Sequence, residues 1–198
     1  MAVQEPVYVG LDVGTSSLKA IAITSAGRAV AVEQADYPLL RPRPGWIEQH
    51  PDMWWEAACA ALQRLLRRRT VADSRIAAVG VTGQMHGVTL LDAAGQVVRP
   101  SLIWPDNRGI VELAEFTLRI PAKDLLSISG SLPYASATLA KLLWLRAREP
   151  DTMARAAHIL LAKDFLRLRL TDDYATDPTD ASGTMLFNIR ERRWSARV

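Results

Sequence analysis

Apolar and polar positions alternate at the start of the chain, a pattern that is typical of β-strands with one buried face. It predicts strands at 7–13, 18–23 and 29–34, separated by short turns. The second turn, at 24–28, contains the glycine that a hairpin favours. We therefore expect three antiparallel strands in chain order, followed by a proline-rich loop at 37–49.

The apolar spacing changes to a helical period after Pro51, a residue that suits the first turn of a helix. The pattern predicts a helix that continues to about Arg69. The positions expected to face the sheet are Trp55, Ala58, Leu62, Leu65 and Leu66.

Further strands and helices follow. The segment 76–82 has the composition of a buried strand, 88–91 predicts a shorter strand, and 91–97 predicts a second hairpin. Helical patterns occupy most of the remaining chain, with Pro121, Gly130 and Pro150 between them. The predicted helices are 107–118, 121–128, 138–149 and 163–170, with a short strand at 159–161.

Composition and charge limit the classes of protein to which this chain can belong. The chain has 198 residues, 49% hydrophobic and 23% charged, which suits one substantial core or two small ones. The net charge is +3, and the main basic run, 67–69, ends a predicted helix, where cations complement the helix dipole. We therefore expect no nucleic-acid partner.

The single cysteine, Cys59, excludes a disulfide within the chain and fits a reducing compartment. The N-terminus lacks a secretion signal, and the apolar runs are too short to span a membrane. We expect a cytoplasmic protein with no membrane partner.

The turn after the first strand has the chemistry of an anion site. Gly14 allows a tight turn, and Thr15, Ser16 and Ser17 supply hydroxyl and backbone N–H donors. Asp12 suits the magnesium ion that accompanies a nucleotide. The turn is not a Walker A loop, because it lacks the Gly-Lys-Ser/Thr ending and a strand follows it. The alternative is a plain hairpin that happens to carry an acidic residue.

A second polar cluster, Gly83-Gln84-Met85-His86-Gly87, follows the strand predicted at 76–82. Open α/β sheets bind their ligands at the ends of strands. The cluster is therefore a candidate for ligand binding, although a lone histidine is more often structural.

Four segments together resemble the FGGY carbohydrate kinases, and within that family most of all the xylulokinases. They are the Gly10–Ser17 turn (GLDVGTSS), Gly83–Gly87 (GQMHG), Leu102–Trp104 with Asp106 and Arg108, and Asp177–Met185 (DPTDASGTM). The GQMHG segment distinguishes the xylulokinases from the family members that act on glycerol, since those members have an Arg-Glu pair in this region. The resemblance runs from about residue 7 to the last residues. It implies an α/β ribonuclease H-like lobe of the actin and hexokinase type, with a mixed sheet, three leading antiparallel strands and flanking helices.

The resemblance also implies a reaction, the transfer of the γ-phosphate of ATP, with Mg²⁺, to a hydroxyl of D-xylulose or a similar ketose. Asp12 would be the catalytic acidic residue and would position the metal. An acidic residue at the end of an apolar strand also indicates a functional role, because burying a carboxylate without a partner costs free energy. The phosphate-binding residues would be Gly14, Thr15, Ser16, Ser17 and Lys19, although an exposed strand lysine is the ordinary alternative for Lys19.

The substrate-binding residues implied by the resemblance are Met85, His86, Trp104 and Asp106. Methionine gives an adaptable apolar wall, histidine can pair with a hydroxyl, and the indole face suits sugar C–H groups. The chain has Trp-Pro-Asp-Asn-Arg where the family pattern is closer to Trp-Asn-Asp-Gly-Arg. Pro105 removes a backbone donor, which puts the geometry of this loop in question.

The catalytic base of the family is an aspartate in a Gly-Gly-Asp-Asn/Gln segment, which this sequence lacks. Asp180 belongs instead to the first-lobe signature and is expected to be structural. Family members are more than twice this long, so we expect residues 1–198 to be a truncated sugar-binding N-terminal lobe that lacks the nucleotide-binding lobe and is inactive alone. The candidate protein partners of such a lobe are the missing second lobe and a second copy of the chain.

One alternative is a non-catalytic sugar- or partner-binding module built on the same lobe. An actin-like structural ATPase is a third reading, and the GQMHG segment disfavours it.

Overall fold

The computed structural model describes residues 5–198, in which short helices and strands surround one larger sheet. The strands are β1 (Pro6–Val13), β2 (Ser17–Thr24), β3 (Ala29–Asp36), β4 (Glu48–Gln49), β5 (Arg75–Gly83), β6 (Thr89–Leu91), β7 (Ser101–Leu102), β8 (His158–Leu160), β9 (Phe187–Asn188) and β10 (Arg193–Trp194). The helices are α1 (Pro51–Arg67), α2 (Arg69–Ala72), α3 (Ile110–Arg119), α4 (Ala122–Ser129), α5 (Thr138–Arg148), α6 (Pro150–Arg155), α7 (Ala162–Thr171) and α8 (Pro178–Gly183).

The main sheet is mixed and has the strand order β3-β2-β1-β5. β1, β2 and β3 pair antiparallel, as the alternating pattern predicts, and β5 pairs with β1 in parallel. The parallel pairing follows from the α1 crossover, since parallel strands need a long connection. It also brings the ends of β1 and β5 to one edge of the sheet, where the two polar clusters begin.

One face of the sheet forms the core against α1. The inward side chains of β1 are Val7, Val9, Leu11 and Val13. The buried stripe of α1 differs from the predicted one: it consists of Trp54, Ala57, Ala58, Ala61 and Leu65. Leu66 is 42% exposed. Small alanines let the helix backbone approach the strands closely, which favours this face over one of larger side chains.

The other face of the sheet is open at Tyr8 and Asp12 of β1, and the edge strand β5 is exposed on both of its faces. The sequence predicts a buried strand here, and that prediction is wrong: Val79 is 50% exposed and Ile76 is 41% exposed. The cause is position, because β5 is an edge strand and no described strand pairs with its outer side. An apolar run does not distinguish an edge strand from a central one.

The predicted helices are present with boundaries shifted by a few residues, and the region at 91–97 forms the expected turn, in which the N–H of Asp92 donates to the carbonyl of Gln96 (2.9 Å). The helices α2, α6 and α8 are additions, as are the two-residue strands β4, β7, β9 and β10. Both α6 and α8 begin at a proline. At Pro150 the sequence pattern predicts only a break, although proline also suits the first helical position. Within residues 5–198, no helix has the length and hydropathy of a membrane span.

Candidate active site

The turn between β1 and β2 is closed by backbone hydrogen bonds. The N–H of Gly14 donates to the carbonyl of Ser17 (3.0 Å), and a Cβ at residue 14 would lie 2.9 Å from that oxygen. Tyr37 holds the turn from outside: its hydroxyl donates to the carbonyl of Gly14 (2.6 Å) and its N–H to that of Ser16 (3.0 Å). Among the described residues, the amides of Thr15 and Ser16 donate to no protein acceptor. They remain available for an anion.

Two buried glutamines connect this turn to the GQMHG segment. Gln49 Nε2 donates to the carbonyl of Thr15 (2.7 Å), and Gln49 Oε1 accepts from Gln84 Nε2 (2.8 Å) and Trp54 Nε1 (3.0 Å). The N–H of Gln84 also donates to the carbonyl of Val13 (2.8 Å). Sequence reasoning missed this connection. The one sequence feature that points to this connection is the polar residue Gln49, at the end of a loop that leads into an apolar helix.

Asp12 and Lys19 face each other across β1 and β2, and Thr82 of β5 is the partner of Asp12 on its other side. All three are exposed on the open face, where they line a cavity of about 330 Å³. Asp12 is therefore not a buried acid, and the cost of burial does not argue for its function. A functional role for Asp12 is supported by its position beside the turn.

A second open cavity, of about 360 Å³, brings several predicted residues together. Its lining includes Asp12, Gly14, Thr15, Met85 and Trp104. Asp12 belongs to both cavities, so the predicted phosphate end and the predicted sugar end are continuous. Ser16 is exposed at the tip of the turn, and Ser17 begins β2.

Trp104 is 41% exposed, and its indole N–H donates to the hydroxyl oxygen of Thr15 (2.9 Å). The loop that carries it is closed by the N–H of Asp106 donating to the carbonyl of Ile103 (3.0 Å). Residue 105 donates nothing to this turn, so the proline is accommodated. The indole thus retains an exposed surface for a ligand while its N–H fixes its orientation.

His86 is half-buried and lies beside this cavity, outside its lining. Its backbone has a φ of 60°, and its Nδ1 lies 3.0 Å from the carbonyl oxygen of Gly183. Burial lowers the pKa of His86; Lys141 acts in the same direction, while the Gly183 carbonyl and Asp180 oppose it. The imidazole is therefore neutral near pH 7.

Asp106 departs from the sequence expectation, since it is fully buried and lines neither of the two cavities described above. Its Oδ2 accepts from the N–H of Ile47 (2.7 Å) and from Nη2 of Arg108 (2.6 Å), and its Oδ1 accepts from the N–H of Arg108 (3.0 Å). The carboxylate has no position left for a sugar hydroxyl. Its place in the structure is that of an anchor for the loop that carries Trp104.

The Arg108 guanidinium continues this buried network. It pairs with Glu48 Oε1 (2.8 Å), and its Cζ lies 3.7 Å from the ring centroid of Trp46 and 4.9 Å from that of Trp144. Glu48 in turn pairs with Arg99 (2.5 Å). A desolvated cation between two indoles has strong cation–π attraction, which fits a structural role for Arg108.

Asp180 lies on α8, in an ion cluster, and lines neither of the two cavities. Lys163 Nζ is 2.8 Å from Asp177 Oδ2 and 3.3 Å from Asp180 Oδ2, and it also pairs with Asp164. Burial raises the pKa of Asp180, with Lys163 opposing. This surrounding fits a residue that fastens α8 to α7, as the sequence suggests.

The donor set around the turn fits a phosphate-bound magnesium ion. No group of three or more His, Cys, Asp or Glu side chains that could hold a metal occurs within the described residues. Mg²⁺ in phosphoryl-transfer sites is commonly bound by one or two carboxylates, with substrate phosphates and water completing the shell. The Asp12 carboxylate beside two unused amides matches that arrangement.

Residues 7–198 match the model of the FGGY family of carbohydrate kinases, N-terminal domain. Xylulose kinase from Escherichia coli strain K12 is 39% identical over 188 residues, which cover 95% of this chain and 38% of that protein. The chain thus spans well under half the length of this relative.

Two solved structures align with this chain at a TM-score of 0.91. A xyloylose kinase from Brucella ovis is 39% identical, with 96% of this chain and 40% of that chain covered. A gluconate kinase from Lactobacillus acidophilus is 27% identical, with 98% and 39% covered. The predicted fold class, a ribonuclease H-like lobe with a mixed sheet, is confirmed.

Proposed function

Because the chain belongs to the FGGY family of carbohydrate kinases, we propose that it forms the sugar-binding part of an ATP-dependent kinase that phosphorylates D-xylulose or a similar ketose. The observation that carries the proposal is the cavity shared by Asp12, Thr15, Met85 and Trp104. In it, a carboxylate and a turn with unused amides adjoin an exposed indole. This combination suits a substrate with a polyol body next to a phosphoryl donor.

The phosphate end is assigned to Asp12, the β1–β2 turn and Lys19. Phosphoryl transfer depends on alignment and on stabilising charge on the phosphate oxygens. Asp12 would hold Mg²⁺, which neutralises that charge when it is bound with ATP. The amides of Thr15 and Ser16 would donate to phosphate oxygens, and the exposed ammonium of Lys19 would lie on the same face.

The sugar end is assigned to Met85, His86 and Trp104. The exposed indole face offers an apolar surface for C–H groups, and the thioether of Met85 adapts to them. The choice of a ketose rests on the GQMHG segment and on the named xylulose kinase relative, since a gluconate kinase shares the same fold. Asp106 is left out of this site because of its burial.

The relatives supply the remaining part of the proposal. Since the chain covers 38% to 40% of their length, we assign adenine binding and the catalytic base to the portion of the kinase fold that lies beyond this match. The open face at Tyr8 and the exposed edge strand β5 would lie against that portion. Residues 1–198 alone would then bind ATP weakly and release no ADP, because alignment and the base would both be missing.

The test is a coupled assay of ADP release by the intact protein that contains this chain, with ATP, Mg²⁺ and D-xylulose. We expect ketose-dependent turnover of roughly 1–100 per second, and none from residues 1–198 alone. Turnover with glycerol or gluconate and not with a ketose would overturn the substrate class. Saturable ketose binding without turnover in the intact protein would favour the non-catalytic module, and self-association of the chain through β5 would favour the homodimer.

A further inference from the structure

Tyr134 contacts His86 directly, although it belongs to none of the segments that carry the family resemblance. Its hydroxyl donates to the carbonyl of Gly183 (2.9 Å) and lies 3.3 Å from His86 Nδ1. The two rings meet edge to face, with centroids 5.3 Å apart and planes at 71°. Burial raises the pKa of Tyr134, so the phenol keeps its proton.

The Tyr134 hydroxyl, His86 Nδ1 and the Gly183 carbonyl form a triangle. The number of donors and acceptors that each group has determines where the protons lie. The Gly183 carbonyl has two lone pairs, and it lies within hydrogen-bond distance of both the Tyr134 hydroxyl and His86 Nδ1. The single phenolic proton takes the shorter contact to the carbonyl. The phenolic oxygen and the remaining lone pair of Gly183 can then only accept from Nδ1, so both contacts are hydrogen bonds only if His86 is protonated there.

A neutral imidazole with its proton on Nδ1 has an unprotonated Nε2. The charged groups near the ring are Lys141 and Asp180, which act on its pKa in opposite directions, and burial favours the neutral form. Nε2 can therefore accept a hydrogen bond, and the complementary group on a ligand is a hydroxyl.

The ring also has little freedom to turn. A Cβ on residue 183 would lie 3.0 Å from His86 Cε1 and 3.2 Å from its Nδ1, so the ring packs directly on the glycine backbone. The left-handed backbone of His86 is uncommon for a residue with a side chain and persists only where its surroundings hold it. Tyr134 supplies one of those constraints.

We propose that Tyr134 is a positioning residue that fixes His86 in the Nδ1–H form and so presents Nε2 as an acceptor to a sugar hydroxyl. The identity of the ligand rests on the proposed function. The protonation state of the ring does not, and it can be measured without any substrate.

The experiment uses ¹⁵N-histidine NMR of the intact protein together with steady-state kinetics. The chain has three histidines, and His86→Gln identifies the signals of this ring. At pH 7 we expect a protonated-type shift for Nδ1 and an unprotonated-type shift for Nε2. In Tyr134→Phe, which keeps the ring packing, we expect partial loss of this preference and a KM for D-xylulose raised about threefold to tenfold with kcat within about twofold, the scale of one neutral hydrogen bond.

Tyr174→Phe is the matched control, because Tyr174 stacks on another histidine, His158, with centroids 3.9 Å apart. It should leave both the His86 signals and the KM unchanged. A wild-type His86 protonated on Nε2 would overturn the inference, as would a Tyr134→Phe variant with unaltered shifts and KM. If Tyr134→Phe fails to fold, the wild-type spectrum alone still overturns the inference when it shows the proton on Nε2. The expected spectrum in a protein that turns over no ketose would instead count against the proposed function alone.

Discussion

The indole N–H of Trp104 donates to the hydroxyl oxygen of Thr15 across 2.9 Å, which joins the proposed sugar platform to the proposed phosphate turn. Thr15 is held from its other side, where its carbonyl accepts from Gln49 Nε2 at 2.7 Å. The two ends of the site are therefore one connected unit. The orientation of the proposed sugar platform therefore depends on the turn.

Trp104→Phe tests this connection, because phenylalanine keeps an apolar ring face and removes the N–H. We expect the KM for the ketose to rise about threefold to tenfold with little change in kcat, since the platform loses its fixed orientation. Steady-state kinetics of the intact protein measure it. Trp194→Phe, at an exposed indole on β10, should match the wild type. An unchanged KM in Trp104→Phe would show that the hydrogen bond of the indole N–H does not affect sugar binding.

Asp12→Asn should act on the phosphoryl group and not on the sugar. Loss of the carboxylate removes the proposed magnesium ligand, so we expect kcat to fall by about a hundredfold or more while the KM for the ketose stays within about threefold. Kinetics at saturating Mg²⁺ and ATP separate the two constants. Asp172→Asn is a matched exposed control, since asparagine tolerates the left-handed backbone there. Loss of sugar affinity with normal kcat would contradict the assignment.

Gly183→Ala should displace the His86 ring, because the new methyl group would lie 3.0 Å from Cε1. We expect a higher KM for the ketose. A double-mutant cycle with His86→Gln locates the effect: if Gly183 acts through the ring, the alanine should add little in the His86→Gln background. Fully additive effects of the two changes would argue that residue 183 acts by another route.

The sequence predicts the leading strands and the tight turn between β1 and β2 well, because both are local. Alternation in β1 and β2 reflects one buried face, and Gly14 marks a tight turn, so pairing and turn follow from neighbouring residues. The burial of β5 is different. It depends on which strand lies beside it, and an apolar run at 76–82 contains no information about its neighbours.

The site shows the same division between local and distant contacts. Asp106 belongs to a segment that resembles a sugar-binding loop, but its carboxylate is occupied by the amide of Ile47, 59 positions away, as well as by Arg108. Tyr134 reaches Gly183 across 49 positions. Such partners have no periodic or motif signal, so only the structure could show that Asp106 is buried and that Tyr134 contacts His86.

Asp106→Asn should destabilise the protein, because it leaves the buried Arg108 guanidinium without its fork of carboxylate oxygens. Breaking a buried ion pair by removing one partner costs about 3–5 kcal/mol, and we expect a loss of that order in the free energy of unfolding in urea. Glu191→Gln, which breaks the exposed pair with Arg193 (2.6 Å), should have no measurable effect. Equal stabilities for the two variants would mean that the network around Arg108 is not the structural anchor described above.

Lys141 should make the stability of the fold depend on pH. The residue is fully buried, and its Nζ donates to the carbonyl of Ser136 at 2.5 Å. Burial lowers its pKa from 10.5 to about 7, with Asp106 opposing and Arg108 adding to the shift. Because the pKa is lower in the folded state, the unfolded chain binds the extra proton between these two values. Stability contributed by this group is therefore complete above the unfolded pKa and falls as the pH drops toward 7.

Between about pH 7 and 9 the free energy of unfolding should rise with pH by at most about 1.4 kcal/mol per unit, the limit for one proton. This window avoids the titration of His86, whose lowered pKa reduces stability only as the pH falls below about 6.5, and that of the buried tyrosines, whose raised pKa values act above about 10. Urea unfolding of Lys141→Met at pH 7, 8 and 9 should show a flatter profile, because methionine fills the same space without a proton to bind. Lys123→Met, at an exposed position on α4, should keep the wild-type slope. If the free energy of unfolding of Lys141→Met depends on pH as steeply as that of the wild type, a group other than Lys141 titrates in this window.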